Sequence, residues 1–326
     1  MRRRDFIAGI GGATIAWPLV VRAQQSVPII GFLNSASPEP FAPYVRAFLQ
    51  GLEQFGFIDG KTVVIDYRWS RGQDGQLAQA ARDLANRPVE VIVATGGEHA
   101  ARAAKAVTSN VPIIFSVGGD PVELGLVSSL NRPGGNLTGV AVLTADLEAK
   151  RLSLLSELLP NAQILGALVD AHYASADSQY AKLQAAAREL GKRVLVLKAS
   201  NDGEIEGAFA TLSEQKIAAL LVASSVFFNA RRNNITSLAA RTRTPAVYQW
   251  REFAVAGGLM SYGPSLVDMY RQVGVYTGRV LRGVRTVDLP VFQPTKFEFV
   301  INLKTAKALG IALPPTLLAL ADEVIE

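Results

Sequence analysis

A chain of 326 residues carries 33 Lys and Arg against 28 Asp and Glu, with two histidines, no cysteine and 49% apolar residues. A single hydrophobic core stops growing at roughly 250–300 residues, so two lobes are expected. The composition excludes a disordered or low-complexity chain, and the missing cysteines exclude disulfides, an acylated cysteine closing an export signal, and cysteine-based zinc or nucleophile sites.

Residues 1–23, MRRRDFIAGIGGATIAWPLVVRA, read as an export signal, with a basic start, an apolar glycine-rich middle and Ala23 before a polar break. Arg3-Arg4-Asp5-Phe6-Ile7 resembles the twin-arginine signal, with Ala8 where a lysine is usual. The apolar stretch from Phe6 to Val21 is diluted by Gly9, Gly11 and Gly12 and is short for a membrane anchor. Cleavage after Ala23 removes four of the 33 basic and one of the 28 acidic residues, lowering the net charge from +5 to about +2. So small a charge, without a concentrated basic face, argues against a nucleic-acid partner. A freely diffusing periplasmic monomer is the expectation.

From Val27 onward, short β-branched runs alternate with stretches of helical period: VPIIGFL, KTVVIDYRW, VEVIVAT and VPIIFSV as strands, with helices between them. The segment PVELGLVSSL, between the breakers Gly118-Gly119-Asp120-Pro121 and Pro133-Gly134-Gly135-Asn136, reads as one more short helix capped by Asp120. The pattern restarts after Thr138 with strands ILGALVD, RVLVLKA, IAALLVASS and PAVYQW separated by helices. Two further strand-helix units close the chain. The fold class is α/β, with two doubly wound Rossmann-like lobes joined by three crossings near residues 138–144, 255–258 and 286–294. The first lobe is expected over 27–140 plus about 257–288, and the second over about 141–256 plus about 291–326.

Ligands of open parallel sheets lie off the carboxyl ends of the strands. The loops there hold Asn34, Ser35 and Ser37, then Thr95, Gly96 and Gly97, then Ser116 through Asp120, then Asp170, His172, Tyr173 and Ser175, and finally Ser224, Ser225 and Asn229. Hydroxyls beside glycines let backbone N–H groups approach an anion such as a carboxylate, although each residue taken singly is also a good helix cap. Among aromatics near strand ends, Tyr173, Tyr248 and Tyr262 are the stronger candidates for a ligand, because a buried phenol needs a partner; Phe32, Phe227, Phe228 and Trp250 divide between ligand and core.

Catalytic motifs fail on context. GFIDGKT is one residue short of a phosphate-binding loop and precedes a strand, so it is a turn. There is no GxSxG elbow, and His172 with Asp170 and Ser175 is too local for a triad. No enzyme activity, metal or cofactor is expected. Arg271, Arg279, Arg282 and Arg285 read as a solvated face.

The stretches VPIIFSVGGDPVELGLVSSLNRPGGNLTGV, FFNARRNNITSLAARTRTPAVYQWREFAVAGGLMSYG and LPVFQPTKFEFVINLKTAKALGIALPPTLLALADEVIE resemble the ABC transporter substrate-binding proteins of the tryptophan/tyrosine-binding kind. The resemblance spans nearly the whole chain after the signal. It implies a type I periplasmic binding fold, no catalysis, and delivery of a small solute to an ABC permease in the inner membrane. It further implies an aromatic amino acid as ligand, with the family's carboxylate-holding positions carried over to Asn34, Ser35, Thr95, Gly96, Ser116 and Asp120. Many relatives place an acidic residue just before the aromatic pair of VFFN, where this chain has Ser225. A deaminated aromatic acid or another small carboxylate therefore stands beside tryptophan as a candidate. Two other readings share the site physics: a ligand-sensing partner of a membrane receptor, and an exported enzyme.

Overall fold

Runs that stay apolar at every position can be buried on both faces, and the chain uses them as strands of two largely parallel sheets. The computed structural model describes residues 27–326; the export signal expected at residues 1–23 lies outside them. The first half runs β1 (Ile29–Asn34), α1 (Pro38–Glu53), β2 (Val64–Trp69), α2 (Asp74–Ala85), β3 (Val91–Thr95), α3 (Glu98–Val107), β4 (Ile113–Val117) and β5 (Leu137–Ala141). These strands form an all-parallel sheet in the order β2-β1-β3-β4-β5.

The second half runs α4 (Thr144–Leu158), β6 (Ile164–Asp170), α5 (Ala176–Glu189), β7 (Arg193–Ala199), α6 (Asp202–Glu214), β8 (Leu220–Val222), α7 (Val226–Ala230), α8 (Arg232–Arg241), β9 (Ala246–Tyr248), α9 (Arg251–Val255) and β10 (Met260–Gly263). Then follow α10 (Leu266–Leu281), β11 (Glu298–Asn302), α11 (Leu303–Leu309), α12 (Pro315–Leu320) and β12 (Glu323–Ile325). The second sheet has the order β12-β11-β10-β9-β8-β6-β7, parallel except between β10 and β11. The chain is thus α/β with two doubly wound lobes.

Two expectations are corrected. The return to the first lobe expected at about 257 comes later, because β10 pairs with β9 and β11 in the second sheet. Only from Leu266 does α10 pack on α1 and on β3, β4 and β5. The returning segment is stitched to β5 by Phe292 N to Gly139 O at 2.8 Å and Ala141 N to Phe292 O at 2.9 Å, and it then crosses back to β11. The helix expected after Asp120 is a single turn. Gly125 takes φ +66°, Leu126 N bonds Pro121 O at 2.8 Å and Gly125 N bonds Val122 O at 2.9 Å, the pairing by which a left-handed residue closes a helix end.

Helices α1 and α10 meet backbone to backbone. A Cβ on Gly51 would lie 2.1 Å from Arg271 O, and one on Gly274 would lie 2.1 Å from Phe48 O. This close approach anchors the returning helix to the first lobe. Arg271, Arg279, Arg282 and Arg285 lie on its outer side or just beyond it; Arg271 pairs with Asp268, Arg285 pairs with Asp288 at 2.9 Å, Arg282 Nη2 donates to Phe55 O at 2.7 Å, and the Arg279 guanidinium lies 5.9 Å from the Tyr276 ring centre.

The second lobe buries an ion pair. On α4, Arg151 Nη1 sits 2.9 Å from Glu148 Oε2 with both side chains fully buried. Arg151 Nε donates to Tyr262 O at 2.8 Å, and Glu148 Oε1 accepts from Ser224 N at 3.1 Å. Burial pushes the Glu148 carboxyl above the usual carboxylate range, although Arg151 opposes it.

Gly274→Ala should lower stability by about 3 kcal/mol in urea denaturation, since neither backbone can retreat. Gly207→Ala, at an open helical position, should be neutral or stabilising by up to about 1 kcal/mol. Arg151→Met should cost about 3–5 kcal/mol at neutral pH, because Glu148 is left without a counter-charge. A folded-state pKa above the unfolded one makes Glu148's contribution complete at low pH and lost as pH rises through the folded value. The deficit of Arg151→Met should therefore narrow toward pH 4, and a pH-independent deficit would contradict it.

Candidate functional site

Each sheet reverses its winding direction once, and such a reversal opens a crevice at the carboxyl ends of two neighbouring strands. In the first sheet the reversal lies between β1 and β3, which end at Asn34 and Thr95. In the second it lies between β6 and β8, which end at Asp170 and Val222. The two crevices face each other, and the space between them forms the candidate site.

That space has two connected parts. An inner chamber of about 60 Å³ is lined by the apolar Phe41, Trp250, Leu266, Met269 and Tyr270 and by the polar Ser116, Thr144, Ser224, Ser225 and Asn229. An outer vestibule of about 290 Å³ is lined by Ser35, Ser37, Arg71, Asp74, His99, Asp170, His172, Phe227 and Arg231. Gly96, Glu98, Tyr173 and Val226 line both parts. Together they reach the lower end of the volume of small-molecule sites, roughly 300–1,000 Å³.

The lobes touch at that border. Glu98, in the first turn of α3, is buried; its Oε1 accepts from Gly119 N at 2.8 Å, from Gly118 N at 3.2 Å and, across the cleft, from Tyr173 Oη at 2.7 Å. Burial, with the Glu98 carboxylate beside it, holds the Tyr173 phenol well above the ordinary tyrosine range, so Tyr173 is the donor. A second crossing joins His99 Nε2 to His172 O at 3.0 Å.

The family model of the ABC transporter substrate binding protein matches residues 26–325. The chain belongs to that family. A tyrosine-binding protein of Clostridioides difficile strain R20291 is 27% identical over 267 residues, 82% of this chain and 76% of that protein. Among solved structures, the ABC domain in complex with L-Trp from Streptococcus pneumonia aligns with TM-score 0.84 at 26% identity, covering 92% of this chain and 100% of its own. A conserved domain protein of Vibrio cholerae aligns with the same TM-score at 24% identity, over 91% and 99% of the two chains.

In this substrate-binding protein all five strand-end loops contribute to the cleft. Ser35, Gly96, Gly97, Ser116, Asp170, Tyr173 and Ser225 line it. Gly96 adopts φ +83°, and a Cβ there would lie 2.5 Å from Asn34 Oδ1, so only glycine fits this turn. Asn34 and Thr95 stand behind the wall: Asn34 Nδ2 donates to Thr95 Oγ1 at 2.9 Å and to Tyr270 Oη at 3.4 Å, which orients the Tyr270 ring. Burial pushes the Tyr270 phenol up to about 12. Ser225 accepts from Phe228 N at 3.1 Å as a helix cap and donates to Asp170 Oδ2 at 2.8 Å.

Three expected residues lie elsewhere. Asp120 accepts from Val122 N at 2.7 Å, opening the single turn described above, and lines neither part of the cleft. Tyr248 is fully buried in the second lobe, stacked on Phe253 at 4.8 Å. Tyr262 stacks on Phe297 at 6.0 Å and lines a separate cavity with Lys150, Leu154 and Phe299. Phe32 and Phe228 are core, whereas Trp250 and Phe227 line the cleft.

Sequence reasoning missed Glu98, Phe41, Thr144 and Tyr270. A glutamate in a first helical turn reads as an ordinary partner of the helix dipole. Only the two glycines whose N–H groups it accepts, twenty residues away, mark it as different. Tyr173→Phe removes the cross-lobe donor and should weaken the closed arrangement by about 1.5–3 kcal/mol. Small-angle scattering should show a larger radius of gyration than the parent; a superimposable curve would place the hold on closure elsewhere.

Proposed function

We propose that this chain is the periplasmic solute-binding component of an ABC importer. It closes two lobes on a small carboxylate-bearing solute, an aromatic amino acid or aromatic acid, and presents it unaltered to an inner-membrane permease. The observation that carries this reading is the inner chamber, whose lining combines the rings of Phe41, Trp250 and Tyr270 and the side chains of Met269 and Leu266 with a smaller set of polar groups. Such a lining suits a flat apolar ring with a polar head, because rings gain from contact with other rings beyond the area they bury. The L-Trp complex from Streptococcus pneumonia and the tyrosine-binding protein of Clostridioides difficile support the same solute class. The two-lobed form supports delivery by hinge closure, which hides the solute until a partner opens the lobes.

A thermal-shift screen of aromatic amino acids and aromatic acids tests this. A true ligand at about 100 times its dissociation constant should stabilise by roughly 2.7 kcal/mol. Trp250→Ala should lower affinity at least about tenfold through lost ring contact. Chromatography of the recovered solute should return it unchanged. A converted solute would replace the transport reading with an enzymatic one.

A further inference from the structure

Glu98 is the single charged side chain lining the inner chamber among the described residues. Its Oε1 already accepts from Gly118 N, Gly119 N and Tyr173 Oη, so the amides at the end of β4 are occupied by the chain's own carboxylate. A solute carboxylate placed there would meet a like charge and no free amide. Oε2 of the same group receives no hydrogen bond from the described residues. Ser224 and Asn229, each only 2% exposed, also line the chamber, and their Oγ and Oδ1 atoms lack a hydrogen-bond partner but are themselves shielded from the open space. A buried polar atom without a partner is costly, and the second oxygen of this carboxylate can only accept. An ammonium group offers three donors and no acceptor, and so complements it. The arginines of the cleft, Arg71 and Arg231, line the vestibule and not the chamber.

Building on the aromatic-solute reading above, we infer that Glu98 is the specificity-determining residue of the cleft. Its free oxygen takes the ammonium of an aromatic α-amino acid whose ring packs against the aromatic walls of the chamber and whose carboxylate faces the vestibule, and deaminated aromatic acids are rejected.

The test is isothermal titration of the full chain with three probes that differ by one group: L-tyrosine, tyramine and 3-(4-hydroxyphenyl)propionate, repeated with L-tryptophan, tryptamine and indole-3-propionate. The parent should bind an amino acid about 100-fold or more tighter than its deaminated acid. Glu98→Gln keeps an oxygen for the Gly118 and Gly119 amides, and it should erase most of that preference while the deaminated acid binds equally or better. Tyr173→Phe keeps the carboxylate but loses the cross-lobe bond, and it should weaken all probes by a similar factor with the preference intact. A parent that binds the deaminated acid within about threefold of the amino acid overturns the inference. So does a Glu98→Gln protein that retains the preference, or a Tyr173→Phe protein that loses it. Should Glu98→Gln fail to fold, the parent's ratio decides alone. A parent that binds none of the six probes overturns the aromatic-solute reading itself, an outcome distinct from binding without preference.

Discussion

Two sheets can close on each other only where the backbone of one is bare enough to receive side chains of the other. A Cβ at Gly118 would lie 2.4 Å from Tyr173 Oη, one at Gly119 2.3 Å from Ser175 Oγ, and one at Gly97 3.1 Å from a Val226 methyl. In each case the glycine belongs to the first lobe and the side chain to the second. The same bareness leaves the Gly118 and Gly119 amides accessible, and Glu98 takes them. Closure and the polarity of the cleft therefore have one cause, the absence of side chains at the ends of β3 and β4.

The polar groups kept in the interior follow from this arrangement. Burying a carboxylate is costly unless donors converge on it, and Glu98 gathers two amides and a phenol for that reason. In the second lobe Glu148 fixes the Ser224 amide while Arg151 neutralises it, so the loop after β8 is held from beneath by α4. A hydrophobic pair of similar volume is often as stabilising as a buried ion pair. What such a pair would lose here is the acceptor that aims the Ser224-Ser225 loop at the cleft.

Much of this architecture was legible because buried parallel strands and amphipathic helices have different periods. All five strand-end loops, read only as short polar stretches after apolar runs, converge on the cleft. The failures are equally physical. PVELGLVSSL has helical spacing, yet Gly125 adopts a left-handed conformation that ends the helix after one turn, and no side-chain pattern reveals that. Tyr248 and Tyr262 sit near strand ends as expected, but consecutive residues of a strand face opposite ways. Tyr248 turns onto Phe253, and Tyr262 onto Phe297 and Phe299. Glu148 and Arg151, three residues apart on a helix, have the spacing of a solvated surface pair. Their burial depends on β10 joining the second sheet, the step that sequence spacing placed wrongly.

The second lobe's rim is largely satisfied within itself, and this limits what it can offer a solute. Asp170 accepts from His172 N at 3.0 Å and from Ser225 Oγ at 2.8 Å, while Ser225 Oγ also accepts from Phe228 N. A hydroxyl has one proton to donate, and Ser225 spends it on Asp170. Among the chamber's polar groups, Glu98 Oε2 from the first lobe receives no hydrogen bond from the described residues, and Ser224 Oγ and Asn229 Oδ1 from the second lack a partner but are shielded from the open space. Discrimination between solutes that share a ring must arise at polar groups such as Glu98 Oε2, because the ring contacts are common to all of them and uniform contacts cannot discriminate.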